Sequence, residues 1–315
     1  MLVLTRAEVE ELLDLDELVD ALARAHAELS AGSASMPARI AAFAERDGLL
    51  GAMPGYLPSA GLGCKLVSVF PHNAGRPSHQ AAIALFDPAN GSPVALMDGT
   101  FITAARTAGA AALAARLLAR EDATVLAIIG TGVQARSHGR AFSALRAWEE
   151  IRVAGRDREK AEELAAEIGA RATSFEEAVR GADVVAATTH SAEPVVRLDW
   201  VSPGTHIGSV GFAAPGFELD PELVRAATIV VESRSSSFAP SPAGAPELAG
   251  IDPESVAELG EIVAGTRPGR TSRDEITLYK SVGVAVQDLA AAALVLNAAR
   301  ERGAGLEIEL EEIHA

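Results

Sequence analysis

The segment TVLAIIGTGVQARSHGR, residues 124–140, decides the fold of this chain. It begins with TVLAII, an uncharged run typical of a strand buried on both faces of a parallel sheet. The pattern Gly130-x-Gly132-x-x-Ala135 follows and opens a helix-forming segment. Gly130 permits a tight turn, Gly132 has no Cβ to keep a pyrophosphate from the backbone, and Ala135 lets the helix pack closely on the strand. The N–H groups and positive dipole end of that helix would hold phosphates, so the segment predicts a dinucleotide site.

The residues after this segment repeat the alternation of strand and helix. IRVAGR at 151–156 predicts a second strand, and DREKAEELAAEIG predicts a helix closed by Gly169. Further short apolar runs lie at 182–189, 205–211 and 227–233. Strands that alternate with helices imply right-handed crossovers and a doubly wound parallel sheet.

The end of the second predicted strand bears on the choice between NAD and NADP. An NAD-binding protein usually carries an acid there for the ribose 2′-hydroxyl, but this chain has Gly155 followed by Arg156. Arginine can pair with a 2′-phosphate bidentately, whereas an acid would repel it. Arg156 could instead be a solvated loop cation. Because the acid is also missing, the sequence favours NADP(H), with NAD(H) still possible.

Composition and charge narrow the class of protein. The 315 residues correspond to about two domains, and the net charge of −16 argues against nucleic acid or an anionic membrane surface as a partner. We expect neither a signal peptide nor a membrane span, since MLVLTRAEVEELLDLDEL turns charged by Arg6 and the Ala-rich stretch at 104–119 contains Arg106 and Arg116. Cys64 is the single cysteine, which excludes a disulfide framework and makes a reducing cytoplasm the expected location.

The N-terminal part follows a different pattern. LTRAEVEELLDLDELVDALARAHAELSAG predicts two short helices, with Thr5 and Glu8 in capping-box spacing. Short apolar runs broken by Gly and Pro fill 39–97, and DPANGSP at 87–93 predicts a hairpin, so we expect an antiparallel or mixed sheet. We predict helices in TFITAARTAGAAALAARLLAR and in the long pattern after Gly269, a loop in SSSFAPSPAGAPELAG, and a final strand in GLEIEL at 305–310.

Six segments together resemble the ornithine cyclodeaminase/mu-crystallin family: LLGAMPGYL, CKLVSVFPHN, HQAAIALFD, MDGTFITAARTAGAAALAARLLA, GTGVQA and TLYKSVGVAVQDLAAAALV. TAARTA and YKSVG are more specific to the family than the glycine pattern is. The resemblance implies an α/β fold with a doubly wound Rossmann domain at 118–277 and a discontinuous α+β substrate and dimerisation domain at 1–117 and 278–315. It also implies a homodimer in which the N-terminal domain, completed by the C-terminus, dimerises and faces the Rossmann domain across the active-site cleft. The chemistry implied is hydride transfer between a nicotinamide and the α-carbon of an amino or imino acid.

Three cations are the candidates for binding a substrate carboxylate. The resemblance implies Arg39, Lys65 and Arg106, and a guanidinium can clamp a carboxylate bidentately. Lys65 and Arg106 lie in apolar surroundings, where a charge is costly without a partner, and we expect both to be catalytic. Gln80 and Thr103 are expected to orient substrate or cofactor. No metal site is expected.

The proton donor and the cofactor contacts complete the expected site. Lys65 is the first candidate for the donor if neighbouring cations lower its pKa, with His72, His79 and His206 as alternatives. The expected cofactor-binding residues are Thr103, Gly130, Thr131, Gly132, Val133, Gln134, Arg156, Thr188, Val210, Gly211 and Ser281.

The departures from the family pattern concern the substrate's side chain. Ornithine cyclodeaminases carry an acid before the Met-Pro pair, where this chain has Gly51, and a second acid where it has Ala213. Phe212 and Phe217 suggest an apolar side chain instead, or could be packing residues. We therefore expect an NADP(H)-dependent reductase of a small α-imino acid, or equivalently an amino acid dehydrogenase. The alternatives are a cyclodeaminating lyase that forms proline and ammonia, and a mu-crystallin-like protein that binds NADPH and small ligands.

Overall fold

The computed structural model describes residues 1–211, 216–240 and 243–310. Phe212 and Ala213 therefore lie outside the described residues. The helices are α1 (Arg6–Leu12), α2 (Leu15–Ser30), α3 (Gly99–Leu118), α4 (Val133–Leu145), α5 (Arg158–Ile168), α6 (Phe175–Val179), α7 (Pro221–Ala226), α8 (Arg234–Ser237), α9 (Leu259–Val263) and α10 (Ala285–Arg302). The strands are β1 (Leu2–Leu4), β2 (Ile40–Phe43), β3 (Leu49–Leu57), β4 (Gly61–Val69), β5 (His79–Phe86), β6 (Pro93–Asp98), β7 (Val125–Ile129), β8 (Glu150–Ala154), β9 (Arg171–Thr173), β10 (Val184–Ala187), β11 (His206–Ser209), β12 (Thr228–Val231), β13 (Ala257–Glu258), β14 (Thr277–Lys280) and β15 (Leu306–Glu307).

The first of two compact units comprises Met1–Arg106 and Val284–Ala315. Its seven-stranded sheet has the order β15-β1-β6-β5-β4-β3-β2 and is mixed, because β1 pairs parallel to β6 while the other neighbours are antiparallel. Helix α10 packs on β3, β4 and β5 from one side, and α1 and α2 contact α10 on that same side. This confirms the mixed sheet expected from the sequence.

Local capping explains where the two N-terminal helices begin. The Thr5 side chain accepts from the Glu8 backbone N–H, and the Glu8 carboxylate accepts from the Thr5 N–H at 2.8 Å, which is the predicted capping box. Asp14 caps α2 by accepting from the backbone N–H groups of Asp16 and Glu17. A capped N-terminus satisfies N–H groups that have no partner within the helix. The predicted pair of short helices is confirmed.

The second unit, Thr107–Gly283, has an eight-stranded sheet in the order β13-β12-β14-β11-β10-β7-β8-β9. Its paired strands are all parallel. The chain leaves β7 for β8 and β9 on one side and continues with β10 and β11 on the other. Such a reversal of strand order is where open α/β sheets bind ligands, at the carboxyl ends of the strands. The doubly wound sheet predicted from the sequence is present, and Gly130 follows the strand at its switch point.

One strand was missed because it was assigned to a helix. The pattern after Gly269 predicts a long helix, whereas residues 277–280 form β14 between β11 and β12, and α10 begins only at Ala285. Gly283 adopts a φ of 77°, a left-handed conformation that ends the extended segment. A buried strand bounded by a glycine outweighs helical spacing over so short a run. The short strands β1, β9 and β13 were also not expected.

Both unit boundaries lie away from the predicted positions, 117 and 278. The second half of α3 belongs to the second unit: the carbonyl of Leu118 accepts from Arg270 at 2.8 Å, and Ala111 approaches Gly208.

Helix α3 is long and apolar enough to cross a membrane, and 78% of its most apolar window is buried. Buried core helices meet the same criterion, so this is weak evidence for a span.

Candidate active site

Lys65 lies on the face of the first unit's sheet that α10 covers. It occupies β4 between Met53 of β3 and Ile83 of β5, two buried apolar residues. The side chain of Lys65 is 2% exposed. An ammonium group in such surroundings requires a charged partner to offset its lost hydration.

That partner is Asp288 in the first turn of α10. Its Oδ2 lies 2.7 Å from Lys65 Nζ, and its Oδ1 accepts from Arg106 Nε at 2.9 Å. Two cations on different elements, β4 and α3, therefore share one buried carboxylate. The segment QDLAAAAL carries this charge in an otherwise apolar run, and that is the signal by which sequence reasoning could have found Asp288.

Two further buried polar residues connect to Arg106 in series. Its Nη1 donates to Gln287 Oε1 at 2.6 Å, and Gln287 Nε2 lies 3.0 Å from His26 Nε2. His26 belongs to α2, so three helices fix the orientation of the guanidinium. Neither Gln287 nor His26 was expected at the site. Both side chains are buried, and the sequence does not show which groups their polar atoms hydrogen-bond to.

Burial and charge together set the protonation of Lys65. Desolvation lowers its pKa to about 8; Asp288 opposes that effect, and Arg106 and then Arg39 add to it. Arg39 is half-buried and precedes β2, whose neighbour in the sheet is β3. The three predicted cations therefore influence one site in the first unit, against one buried carboxylate.

The structure does not bring Gln80 to this site. Gln80 pairs with Ser68 across β4 and β5, one residue out of phase with the Lys65–Ile83 pair. Successive residues of a strand point to opposite faces, so Gln80 lies on the other face of the sheet. Thr103 precedes Arg106 by one helical turn, and its hydroxyl donates to the Gly99 carbonyl at 2.7 Å.

The alternative histidine donors are dispersed. His72 is exposed beside Asp47, and His79 is exposed at the start of β5. His206 is buried in the second unit at the amino end of β11, 3.0 Å from the Thr277 hydroxyl, and burial lowers its pKa to about 3. His79 alone shares the sheet face of Lys65, since it pairs with Val69.

The predicted phosphate loop has the backbone geometry that it requires. Gly130 adopts a φ of 126°, and a Cβ there would meet Thr188 Oγ1 at 2.5 Å. A Cβ at Gly132 would meet nothing within 4 Å, so the backbone is open to a ligand. Gly132 is also the N-cap of α4 and provides no side-chain cap. The helix N-terminus therefore retains N–H groups for an anion, and these residues fit a dinucleotide pyrophosphate.

Gly155 lies close to the Thr131 side chain. A Cβ at Gly155 would meet Thr131 Cγ2 at 2.5 Å, so a larger residue would displace the Thr131 side chain. Arg156 is exposed immediately beyond β8. Val133 is exposed and Gln134 half-buried in the first turn of α4.

The remaining predicted cofactor residues share the carboxyl edge of the second sheet. Thr188 follows β10 and donates to the Ile129 carbonyl at 2.9 Å, and Val210 and Gly211 follow β11. Ser281 follows β14, and its hydroxyl donates to the buried carboxylate of Glu232 at 2.8 Å. Glu232, which also accepts from the backbone N–H of Val282 and Gly283, was not expected from the sequence.

Comparison with known proteins identifies the family of this chain. The model of the ornithine cyclodeaminase/mu-crystallin family matches residues 1–303. The chain belongs to this family. It is 42% identical over 272 residues to the ketimine reductase mu-crystallin of Mus musculus, covering 84% of this chain and 85% of that protein.

Two solved structures of the family superpose over nearly the whole chain. One is Thermococcus litoralis Δ1-pyrroline-2-carboxylate reductase in complex with NADH and L-proline, at 38% identity and a TM-score of 0.91, covering 98% of this chain and all of that one. The other is an archaeal alanine dehydrogenase dimer with bound NAD, at 34% identity and a TM-score of 0.92, covering 99% of each chain. The predicted family and the Rossmann-type α/β fold are confirmed.

Two positions of this chain match the acids that are expected in ornithine cyclodeaminases. Gly51 lies in β3 on the same face as Lys65, between Ala41 and Val67 of the neighbouring strands. The position that matches the second acid, Ala213, is outside the described residues, and Phe217 is half-buried.

Proposed function

We propose that this chain is an NAD(P)H-dependent oxidoreductase that reduces a small α-imino acid to the amino acid, with NADPH preferred. The observation that carries the proposal is the buried group of Lys65, Arg106 and Asp288, with Arg39 close enough to affect the pKa of Lys65. Lys65 and Arg106 share the single carboxylate of Asp288, which leaves an excess of positive charge in this group. A substrate carboxylate would compensate that excess, and guanidinium groups bind carboxylates with directional paired bonds.

The fixed orientation of Arg106 supports a binding role. Asp288 holds Nε and Gln287 holds Nη1, so the guanidinium is oriented before any substrate arrives. Preorganised donors cost less entropy on binding than mobile side chains do. A nicotinamide cofactor, when bound, supplies the hydride for the imine carbon.

Lys65 is the proposed proton donor. With a pKa of about 8, much of the Lys65 population carries its proton at neutral pH, and the proton is held less tightly than on an exposed lysine. General acids work best when their pKa lies near the working pH. The proton at Nζ would go to the substrate nitrogen, directly or through a water molecule, and Asp288 would stabilise the charged form of Lys65 beforehand.

The sheet face beside Lys65 supports a substrate with an uncharged side chain. The neighbouring cross-strand row on that face consists of Ala41, Gly51, Val67 and Ala81. None of these residues carries a charge or a side-chain acceptor. An ammonium group placed there would lose its hydration without a partner, which costs on the order of a few kcal/mol. The row therefore favours aliphatic or cyclic imino acids over diamino acids such as ornithine.

The preference for NADPH rests on the end of β8. Thr131 fills the space beside Gly155, and Arg156 is exposed at the following position. A 2′-phosphate would meet a guanidinium there, and no acid stands at Gly155 to bind a 2′-hydroxyl.

A homodimer is proposed from the second face of the seven-stranded sheet. Pro54, Cys64, Ala84 and Leu96 form one cross-strand row on the face away from α10. Leu96 of this row is 37% exposed, and three further leucines on the same face, Leu50, Leu62 and Leu66, are 50%, 38% and 41% exposed. Contiguous apolar surface of this kind marks association sites, and a second copy would cover it.

The proposed activity is tested by following NADPH consumption with 1-pyrroline-2-carboxylate, its six-membered analogue, and pyruvate with methylamine. We expect stoichiometric formation of the corresponding amino acid. Ornithine should release neither proline nor ammonia. Efficient ornithine deamination would establish the lyase instead, and tight NADPH binding with no imine reduced would establish a ligand-binding role.

A further inference from the structure

The carboxyl ends of β10, β11 and β14 are joined by buried charged groups that meet at one hydroxyl. Ser209, the last residue of β11, is fully buried. It donates to Glu218 Oε2 at 2.8 Å and accepts from Lys280 Nζ at 3.0 Å. Both roles of the hydroxyl are thereby filled, one by an anion and one by a cation.

Glu218 joins the ends of two neighbouring strands. Thr189, which lies just beyond β10, donates to Glu218 Oε1 twice, from its backbone N–H and, at 2.7 Å, from its hydroxyl. Glu218 Oε2 accepts from Ser209 and from the Gly211 N–H at 3.0 Å. A carboxylate is an acceptor only, so four donors converge on a group that cannot reciprocate. The side chain is 1% exposed.

Lys280 holds the same turn from the other side. Its Nζ donates to the Gly211 carbonyl at 2.8 Å and to Glu247 Oε1 at 3.0 Å, in addition to Ser209. The N–H of Gly211 is thus fixed by Glu218 and its carbonyl by Lys280. A Cβ at Gly211 would lie 2.3 Å from the Thr189 carbonyl oxygen, so only glycine fits this turn.

Stability alone is a weak explanation for this arrangement. Replacing a buried ion pair by apolar residues of similar volume is often neutral or stabilising, so charges at such positions are poor evidence of a structural role. They stand at the carboxyl edge of a doubly wound sheet, where such sheets bind ligands. Gly130 opens the phosphate loop along the same edge, directly after β7, the strand next to β10.

We propose that Ser209, held between Glu218 and Lys280, is a positioning residue that fixes the turn at 209–211 and thereby the nicotinamide half of a bound dinucleotide. The inference rests on the proposed function in so far as that function requires a nicotinamide cofactor. It assigns the Ser209 hydroxyl no contact with substrate. The adenosine half, bound at Gly130–Gly132 and Arg156, is independent of this network.

The test compares a whole cofactor with a fragment of it in Ser209→Ala. Affinities for NADPH and for adenosine 2′,5′-bisphosphate, which lacks the nicotinamide, are measured by fluorescence and calorimetry. We expect NADPH binding to weaken about tenfold and fragment binding less than twofold, because only the nicotinamide half loses its support. Where turnover is measurable, kcat should fall between tenfold and about a hundredfold.

Two further variants keep the result unambiguous. Ser209→Cys replaces the hydroxyl by a larger group that still donates and accepts, but more weakly, and should give a ratio of the two affinities between those of the natural protein and Ser209→Ala. Thr277→Val is the matched control, since Thr277 is a buried hydroxyl at the amino end of β14 that contacts His206 and Arg270. It should lower the melting temperature and leave the ratio of the two affinities unchanged.

The outcomes separate the two proposals. Equal weakening of NADPH and fragment in Ser209→Ala, or a changed ratio in Thr277→Val, would overturn the positioning role and indicate general destabilisation. A natural protein that binds NADPH but reduces no imino acid would overturn the proposed function, while the fragment comparison would still decide the role of Ser209. A natural protein with no affinity for NADPH or NADH would overturn both.

Discussion

Lys65 and Asp288 form a buried ion pair, with 2.7 Å between Nζ and Oδ2, in side chains that are 2% and 1% exposed. Asp288 also accepts from Arg106, so one carboxylate serves two cations. Removing one member of a buried pair typically costs about 3–5 kcal/mol, because it leaves an uncompensated charge. The protonation of Lys65 therefore depends on Asp288, a residue on a different element of the fold.

The first prediction concerns this dependence. If protonated Lys65 is the acid, the rate of imine reduction should fall as the pH rises through about 8, where Lys65 loses its proton. Asp288 raises the pKa of Lys65, so Asp288→Asn should move that fall to lower pH. The measurement is the pH profile of kcat/KM. Asp16→Asn, an exposed change on α2, is the control and should leave the profile in place; an unmoved profile in Asp288→Asn would exclude Lys65 as the titrating group.

The second prediction concerns Arg106. Arg106→Lys loses the planar guanidinium and the contact with Gln287. The resulting fall in kcat/KM should correspond to a loss of roughly 2–4 kcal/mol of transition-state stabilisation, while the affinity for NADPH barely changes. Lys65→Met should lower kcat more than it raises KM, since only an interaction made in the transition state lowers kcat. Arg116→Lys, exposed on the same helix, is the control. Loss of thermal stability and cofactor binding together would indicate that both cations are structural, and unchanged kinetics in Arg106→Lys would end the carboxylate hypothesis.

The sequence predicted the parts of the molecule that are governed by local rules. The glycine loop, the Thr5–Glu8 capping box and strands β2 to β6 of the first sheet each follow from the spacing of a few neighbouring residues. The partnership of Lys65 with Asp288 joins residues more than 200 positions apart and could not be derived from spacing. Gln80 lies on the sheet face opposite Lys65, which the motif alone could not indicate, because a motif names residues but does not fix the sheet face of each one and a shift by one residue reverses the face.

The third prediction concerns cofactor choice. Arg156 is exposed beyond β8, and Gly155 leaves room for Thr131 rather than for an acid. NADPH should bind more tightly than NADH, and Arg156→Asp should reverse the order, because a paired phosphate is typically worth about 1 kcal/mol or more. Dissociation constants for both cofactors provide the measurement. Arg225→Ser, an exposed arginine in the last turn of α7, should leave the order unchanged, and equal affinities in the natural protein would contradict the proposed preference.

The fourth prediction concerns stability in acid. Burial lowers the pKa of His138 to about 4 and that of His206 to about 3, from an ordinary value of 6.5. The unfolded chain therefore binds more protons below pH 6.5, and the free energy of unfolding should fall as the pH drops from there towards 3–4. Each histidine contributes up to about 1.4 kcal/mol per pH unit. The free energy of unfolding is measured by denaturant titration at several pH values and plotted against pH. The slope of that plot should be shallower for His138→Leu, and for the exposed control His190→Gln it should equal that of the natural protein.

The fifth prediction concerns the second face of the seven-stranded sheet. Leu66 is 41% exposed, lies between Ala52 and Ala82 on that face, and would be buried if two copies associate there. A lysine at this position would place an unpaired charge in the apolar contact, so Leu66→Lys should yield a monomer in sedimentation velocity at concentrations where the natural protein is a dimer. Leu15→Lys is the control, since Leu15 is 38% exposed on α2 and away from that face. A dimer that persists in Leu66→Lys and dissociates in Leu15→Lys would place the interface on the helical side of the unit.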